Sequence, residues 1–439
     1  MTLDALYGDH VALRAETTGR ILAEAGFERL LIHSGKPYTY FADDNDAPFH
    51  ATPHFTHWAP VPGPYHLLEF VPGSRPRIVR VMPRDFWYAP PAPAPDFVAS
   101  RFDVVDVETE EAAWATIGNG RRTAFIGEAT DKAAANGIPA ESLNPQPFVS
   151  RLDWERSYKS AYEVETLREA TGIAARGFRA AREVFFGGGS ELDIHHAYLA
   201  ATGQLEDGLP YPTIIGLDER ASTLHYHGKR GREAAPGQVL LIDAGVSVRG
   251  YGCDITRTWA VTSAPAEFHA LLVGMEALQQ ELAKLGRPGM MYPELHLLAH
   301  RKIAALLVSN GLLLCTAEEA LEKGLTRPFL PHGLGHFLGV QVHDVSGRFG
   351  DRDGTPKAPP ASHPFLRTTR LIEEGHLFTI EPGLYFIPML LEPFRAGEHA
   401  ALFDWALIDR LTPCGGIRIE DDVFVGKDEN RNLTREELS

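Results

Sequence analysis

A carboxylate closing a run of apolar residues is the feature that most restricts how this chain can fold. In Gln238-Val239-Leu240-Leu241-Ile242-Asp243-Ala244-Gly245 four consecutive apolar side chains read as a buried strand ending on Asp243. An ionised side chain in that position is costly unless something compensates it. The following segment, Gly250-Tyr251-Gly252-Cys253-Asp254-Ile255-Thr256-Arg257, carries a second aspartate, and Arg249-Gly250 reads as a hairpin turn between the two. Directly opposed residues across a two- or four-residue loop differ by an odd number. Asp243 and Asp254 differ by eleven, so a regular register predicts both carboxylates on one face of the sheet. Two carboxylates crowded in partly apolar surroundings repel, and one must protonate unless a cation lies between them. The competing reading is that one aspartate simply caps the turn.

Three later segments add to this inventory. Phe329-Leu330-Pro331-His332-Gly333-Leu334-Gly335-His336 sets two imidazoles four residues apart, with glycines that let the backbone approach a neighbour closely, and His343 follows in Val342-His343-Asp344. A lone histidine is usually a satisfied core or surface residue, but three in a Gly-rich, apolar-flanked stretch favour chemistry, since neutral imidazole serves as ligand or proton carrier. Leu377-Phe378-Thr379-Ile380-Glu381-Pro382-Gly383 and Gly415-Gly416-Ile417-Arg418-Ile419-Glu420 each end a short apolar strand on a glutamate. Strand-end glutamates are commonly just solvated. Taken together, Asp243, Asp254, Glu381 and Glu420 with one imidazole form an oxygen-rich set suited to Mn²⁺, Co²⁺ or Mg²⁺ rather than to a thiolate-loving metal.

A chain of 439 residues exceeds the usual size of one hydrophobic core, so two domains are expected. Helical periodicity over Leu6 to Ala25 and strand patterns at Arg29–His33, Ile78–Val81 and Thr123–Gly127, interleaved with the Pro-rich stretch Tyr88 to Pro95, predict a small α/β domain over residues 1–157. From Ser160 a long helix is predicted. Gly187 to Gly189 end it, and Ser190 with Asp193 resembles a capping box opening the next helix. A phosphate loop is disfavoured there because the Lys-Ser/Thr ending is absent. Helices over Pro265 to Leu285 and Pro293 to Leu307, with strands at Val239–Val248, Gly252–Val261, Leu377–Phe386 and Ile417–Val425, predict an α+β layered domain over 158–439.

The formal charge of -16 repels polyanions, so nucleic acid is not expected as a partner. Most of that acidity is read as a solubility feature. Three dispersed cysteines, Cys253, Cys315 and Cys414, argue against a disulfide framework and for a reducing compartment. The opening residues lack the basic and apolar regions of a secretory leader and no apolar run is long enough to span a bilayer, so the expectation is a cytoplasmic protein without membrane contact.

These segments, in this order, resemble the pita-bread metallopeptidases: methionine aminopeptidase, aminopeptidase P and prolidase. Chain length, the creatinase-like N-terminal region and the insertion ending in His363-Pro364-Phe365-Leu366-Arg367 look most like the bacterial Xaa-Pro dipeptidases, a group that includes organophosphorus acid anhydrolases. The resemblance implies two divalent ions, most readily Mn²⁺, with Asp243 on the first, Asp254 and Glu420 bridging, and His336 and Glu381 on the second. It also implies active-site roles for His225, in Leu224-His225-Tyr226, and for His332 and His343, with Glu381 as proton shuttle. Arg418 would hold a substrate carboxylate, and Arg367, Tyr211 and Tyr292 would wall the pocket. A homodimer is implied too, to which Asp43 or Asp44 would contribute from the N-terminal domain, unless that segment is merely a polar loop. The expected reaction is hydrolysis of Xaa-Pro dipeptides, with organophosphate triester hydrolysis as a side activity. The alternatives are an aminopeptidase P acting on longer peptides and a metal-free binding module; only the resemblance points to proline.

Overall fold

The computed structural model describes residues 2–89, 92–118, 120–232 and 235–438. Pro90 and Pro91 of the Pro-rich stretch lie outside the described residues. The chain forms two compact units, Met1–Arg156 with Ser160–Glu165 and Asp351–Thr355, and Ser157–Lys159 with Thr166–Gly350 and Pro356–Ser439.

The N-terminal unit is built on five strands, β1 (Arg29–His33), β2 (Leu67–Phe70), β3 (Arg77–Val81), β4 (Asp103–Val107) and β5 (Thr123–Ile126), in the order β4-β3-β2-β1-β5. β1 runs parallel to β5 and antiparallel to β2, and β3 parallel to β4. β1 and β5 are buried along their whole length, which is why their apolar runs stand out in the sequence. β4 is an edge strand, partly exposed and interrupted by aspartates, and such a strand leaves no apolar run to recognise. The helix Leu3–Ala25 precedes the sheet. In the loop after β1, Asp43 Oδ1 accepts from the backbone N–H groups of Asp44 and Asn45 at 2.7 and 3.2 Å, a self-contained turn.

In the C-terminal unit β6 (Ile214–Leu217), β7 (Val239–Ala244) and β10 (Ile255–Ala260) form one antiparallel sheet. β8 (Ser247–Val248) and β9 (Tyr251–Gly252) extend its hairpin. The remaining strands are β11 (Leu377–Ile380), β12 (Gly383–Tyr385), β13 (Gly416–Arg418), β14 (Asp421–Phe424) and β15 (Arg431–Asn432), with β14 between β11 and β15 and β12 on β13. Two sets of helices cover these strands. Ala170, Ala174, Phe178 and Ala181 of the helix Ala161–Phe186 pack with Ile215, Leu240 and Ile242. Leu271, Met275, Leu295 and Ile303 of the helices Ala266–Leu285 and Tyr292–Ser309 pack with Phe378, Ile380 and Ile417. The capping box is formed: Ser190 Oγ accepts from Asp193 N–H at 3.2 Å, and Asp193 Oδ2 accepts from Ser190 N–H at 3.0 Å.

The hairpin turns at Arg249 and Gly250, whose φ angles of 50° and 85° are those of a two-residue type I′ loop. Ser247 pairs with Gly252 and Asp243 with Thr256, so one register holds from the turn to the end of the strands. Asp254 therefore lies on the same face as Asp243 but one pair removed, and Thr256 is its direct opposite.

Candidate active site

Each carboxylate is placed by the backbone beside it. Asp243 ends β7 and Asp254 leads into β10. The N–H of Glu420 donates to Thr256 O at 3.0 Å, which ties the β13–β14 junction to the hairpin, and the N–H of Glu381 donates to Leu334 O at 2.8 Å. The segment bearing His336 lies against β11, where Thr379 N–H donates to His336 O at 2.9 Å. A side chain at Gly335 would put its Cβ 2.0 Å from Thr379 O, so only glycine allows this approach.

The result is a buried acidic cluster. Asp254, His336 and Glu420 present ligand atoms all within 4.8 Å of one another. His336 Nε2 lies 3.4 Å from Asp254 Oδ2 and 3.6 Å from Glu381 Oε1. His336 Nδ1 faces the Phe337 carbonyl at 3.0 Å, and since a carbonyl can only accept, Nδ1 carries a proton there; the carboxylates raise the proton affinity of Nε2, the nitrogen a cation would take in its neutral form. Arg418 is the guanidinium among them. Its Nη2 donates to Asp243 Oδ2 at 2.6 Å, Nη1 to Tyr385 Oη at 3.0 Å and Nε to Thr256 Oγ1 at 3.0 Å. Thr256 Oγ1 in turn donates to Glu420 Oε2 at 2.6 Å, and Tyr211 Oη donates to Asp254 Oδ1 at 2.6 Å.

One arginine does not balance four carboxylates. Burial pushes Glu381 up to about 7 and Glu420 well above its ordinary range, the latter reinforced by Asp254, Glu381 and Asp243. Burial raises Asp243 as well, against the pull of Arg418. Burial also works to raise Asp254, but hydrogen bonding and charge from His336 outweigh it and hold the group below its usual value. Asp243 Oδ1 is buried without a hydrogen-bond donor among the described residues. Oxygens in excess, one imidazole lone pair and a surplus of negative charge together make a donor set that fits hard or borderline divalent cations.

The cluster floors a cavity of about 730 Å³ whose lining includes His225, His332, His343, Arg367 and Arg418 along with Asp243, Asp254, His336, Glu381 and Glu420. Ten of the twelve expected site residues thus converge. The two tyrosines expected as walls do not line it: Tyr211 reaches the cluster through Asp254, and Tyr292 is fully buried with its hydroxyl 3.1 Å from Thr379 O. Arg418 lines the cavity and is anchored at its floor by one hydrogen bond from each guanidinium nitrogen, three of the five N–H groups an arginine carries. Arg367 is exposed at the cavity rim.

Sequence reasoning missed Tyr385 and Thr256. His332 Nδ1 faces Gly333 O at 2.8 Å and so carries the proton of the neutral ring, which leaves Nε2 to accept from Tyr385 Oη at 2.8 Å. Arg418, Tyr385 and His332 form a single relay. Thr256 could have been found from the hairpin register, being opposite Asp243. The apolar lining from Ile387 to Leu390 carries no sequence signal at all.

With the geometry established, comparison with known proteins is decisive. Residues 165–427 match the model of metallopeptidase family M24, and residues 5–154 that of the Xaa-Pro dipeptidase N-terminal domain. The chain belongs to metallopeptidase family M24, among the Xaa-Pro dipeptidases. It is 41% identical to the Xaa-Pro dipeptidase of Pseudoalteromonas haloplanktis, covering 99% of this chain and 98% of that one, and 39% identical to that of Stenotrophomonas maltophilia, covering 98% and 97%. Among solved structures, Escherichia coli aminopeptidase P with the inhibitor Pro-Leu superposes with a TM-score of 0.71 at 23% identity, covering 96% of this chain and 95% of that one. That likeness establishes the fold, pita-bread in the C-terminal unit. No helix among the described residues is long and apolar enough to cross a membrane.

Proposed function

We propose that this M24 enzyme hydrolyses Xaa-Pro dipeptides with two divalent ions held by Asp243, Asp254, His336, Glu381 and Glu420. The observation that carries the reading is the convergence of four buried carboxylates and one imidazole around a single guanidinium, at the floor of a cavity large enough for a dipeptide. Bound there, the ions would polarise the scissile carbonyl and bring proton loss from water close to neutral pH. The chain's own groups supply the rest. Glu381, whose carboxylate faces the cavity beside His336, is placed to take a proton from the attacking water and return it to the leaving nitrogen. His343 and His225, exposed in the cavity, are assigned the contacts to the scissile amide. His332 is held by Tyr385 and Gly333 and orients that wall. Arg418 at the cavity floor, with Arg367 at the rim, meets the C-terminal carboxylate with a planar charged fork, and this restricts substrates to dipeptides.

Manganese is the assigned ion on the strength of the oxygen-rich donors. A cytoplasmic location fits the three free cysteines. A homodimer is supported by Phe41, Phe86 and Trp87, exposed to 97%, 86% and 77% in the N-terminal unit, an apolar display that a second copy would cover. Attack on phosphorus requires the same polarised centre, so slow organophosphate triester hydrolysis belongs to this reading.

The test is a Mn²⁺-dependent assay on Leu-Pro, Gly-Pro, Leu-Ala and Leu-Pro-Ala. The two Xaa-Pro dipeptides are expected to be cleaved at least about tenfold faster than the others. Equal cleavage of Leu-Pro-Ala would convert the assignment to an aminopeptidase P, and full activity of Asp254→Asn would remove the site.

A further inference from the structure

A second cluster of ligand-type side chains lies outside the carboxylate centre. His296 and His300 stand one turn apart on one face of the helix Tyr292–Ser309, and His363 joins them from the segment ahead of Phe365. The three ring centroids are separated by 4.7, 4.5 and 4.5 Å, and one nitrogen from each ring lies within 4.8 Å of the others. His296 and His300 are only 1% and 2% exposed. Neither nitrogen of His296 and not Nε2 of His300 has a hydrogen-bond partner among the described residues. A buried polar nitrogen left unpaired is destabilising, and aromatic packing alone would be served as well by phenylalanine. His300 Nδ1, by contrast, is fixed 2.8 Å from Thr326 Oγ1, the outer hydrogen bond that orients a ligand imidazole.

We propose that His296, His300 and His363 form a separate site for one borderline divalent cation, of which Zn²⁺ is the type. An all-imidazole set selects such ions, whereas the carboxylate cluster selects oxygen-preferring ones, so the two sites are chemically distinct. Burial pushes His296 down to about 2 and His300 to about 3, which keeps both lone pairs free of protons. A tetrahedral ion bonded at about 2.0–2.1 Å holds its nitrogens about 3.4 Å apart, a contraction within reach of ring rotation. A side cavity of about 170 Å³ adjoins His363 and gives entry and room for a fourth ligand, water or a small anion. Arg327 on its rim opposes a bare cation but is solvent-exposed and screened, and it favours an anion in that fourth position. His332 and Phe365 line both this cavity and the substrate cavity. An ion here would pin the 362–367 segment, and with it Phe365 and Arg367, over the bound dipeptide.

The site does not depend on the catalytic assignment, and the test separates the two. Full-length protein loaded with Mn²⁺ is titrated with Zn²⁺ against a chromogenic chelator, with zinc and manganese counted after desalting and hydrogen exchange followed over residues 361–367. Wild type and Glu420→Gln are expected to retain one Zn²⁺ each and to slow exchange in that segment. His300→Phe and His363→Phe are expected to weaken it more than about 100-fold, beyond the usual effect of losing an outer-sphere partner. His363→Phe changes a residue in the loop rather than in the buried helix, so the test survives if His300→Phe does not fold. Zinc retained at full affinity by folded His363→Phe, or lost in Glu420→Gln and kept in His363→Phe, overturns the proposal.

Discussion

In the N-terminal unit Glu69 lies between two arginines, Arg29 Nη1 at 3.1 Å and Arg77 Nε at 3.0 Å. In the C-terminal unit Asp243, Glu381 and Glu420 share the guanidinium of Arg418, and Asp254 beside them leans on His336. Both places bury charge, but Glu69 has its counter-charge in full and the carboxylate cluster does not. A buried carboxylate with a matched partner reports on folding. A group of them that lacks one marks a place completed from outside the chain. The contrast holds even over neighbouring residues: Asp421, next to Glu420, is matched by Arg257 at 2.8 Å and Arg435 at 2.7 Å and is held below the ordinary carboxylate range, burial notwithstanding.

The comparison can be broken at several points. Glu420→Gln should cut kcat/KM for Leu-Pro by about a thousandfold or more, since the amide withdraws a charge from the cation site. Retained activity would mean that the surplus charge serves nothing. In the N-terminal unit the same chemical change, Glu69→Gln, should lower unfolding free energy by about 3 kcal/mol in denaturant, because two arginines lose their partner. In metal-stripped protein Glu420→Gln should act in the opposite direction and stabilise by about 1 kcal/mol, as repulsion with Asp254 and Glu381 is relieved. If both substitutions destabilise alike, the distinction between the units fails.

Acid should expose the N-terminal unit. Burial pushes His10, His33 and His66 down to about 4 from an ordinary 6.5. As pH falls the unfolded chain therefore takes up protons first, so stability is complete above about pH 6.5 and drains towards pH 4, by about 2 kcal/mol per histidine at pH 5. His66 shows why the folded ring stays neutral: Nδ1 accepts from Val81 N–H at 3.1 Å while Nε2 faces Pro62 O at 3.0 Å. His66→Gln should flatten the dependence by that single share, and an unchanged pH profile would refute the assignment. The smallest effect is expected of Tyr385→Phe, which removes the hydroxyl between Arg418 and His332. A loss of about tenfold in kcat, or about 1.4 kcal/mol, would place Tyr385 as a positioning residue, and no change would strike it from the site.

Much of this arrangement could be read before any coordinates. The period of two along a strand and a two-residue turn at Arg249-Gly250 suffice to put Asp243 and Asp254 on one face, because those rules are local and their parity survives a shift by a whole pair. The buried strands β1, β5 and β7 announced themselves through continuous apolar runs, whereas β4, half-exposed at a sheet edge, did not. For the same reason the i, i+4 spacing of His296 and His300 lies in the sequence, while nothing in it brings His363 to them.

Tertiary structure alone decided what each side chain touches. Arg418 is 175 residues from Asp243, and only the folded chain shows its guanidinium tied to Asp243, Tyr385 and Thr256 at the cavity floor. Tyr292 likewise sits at a helix start, where sequence allows either a pocket wall or a core residue; packing against Phe378 made it core. Chain order determined which residue types were available and on which faces of their strands and helices they stood, since those follow from backbone periodicity. Which of them met, and therefore which charges remained unbalanced, depended on contacts across the fold that no local rule encodes.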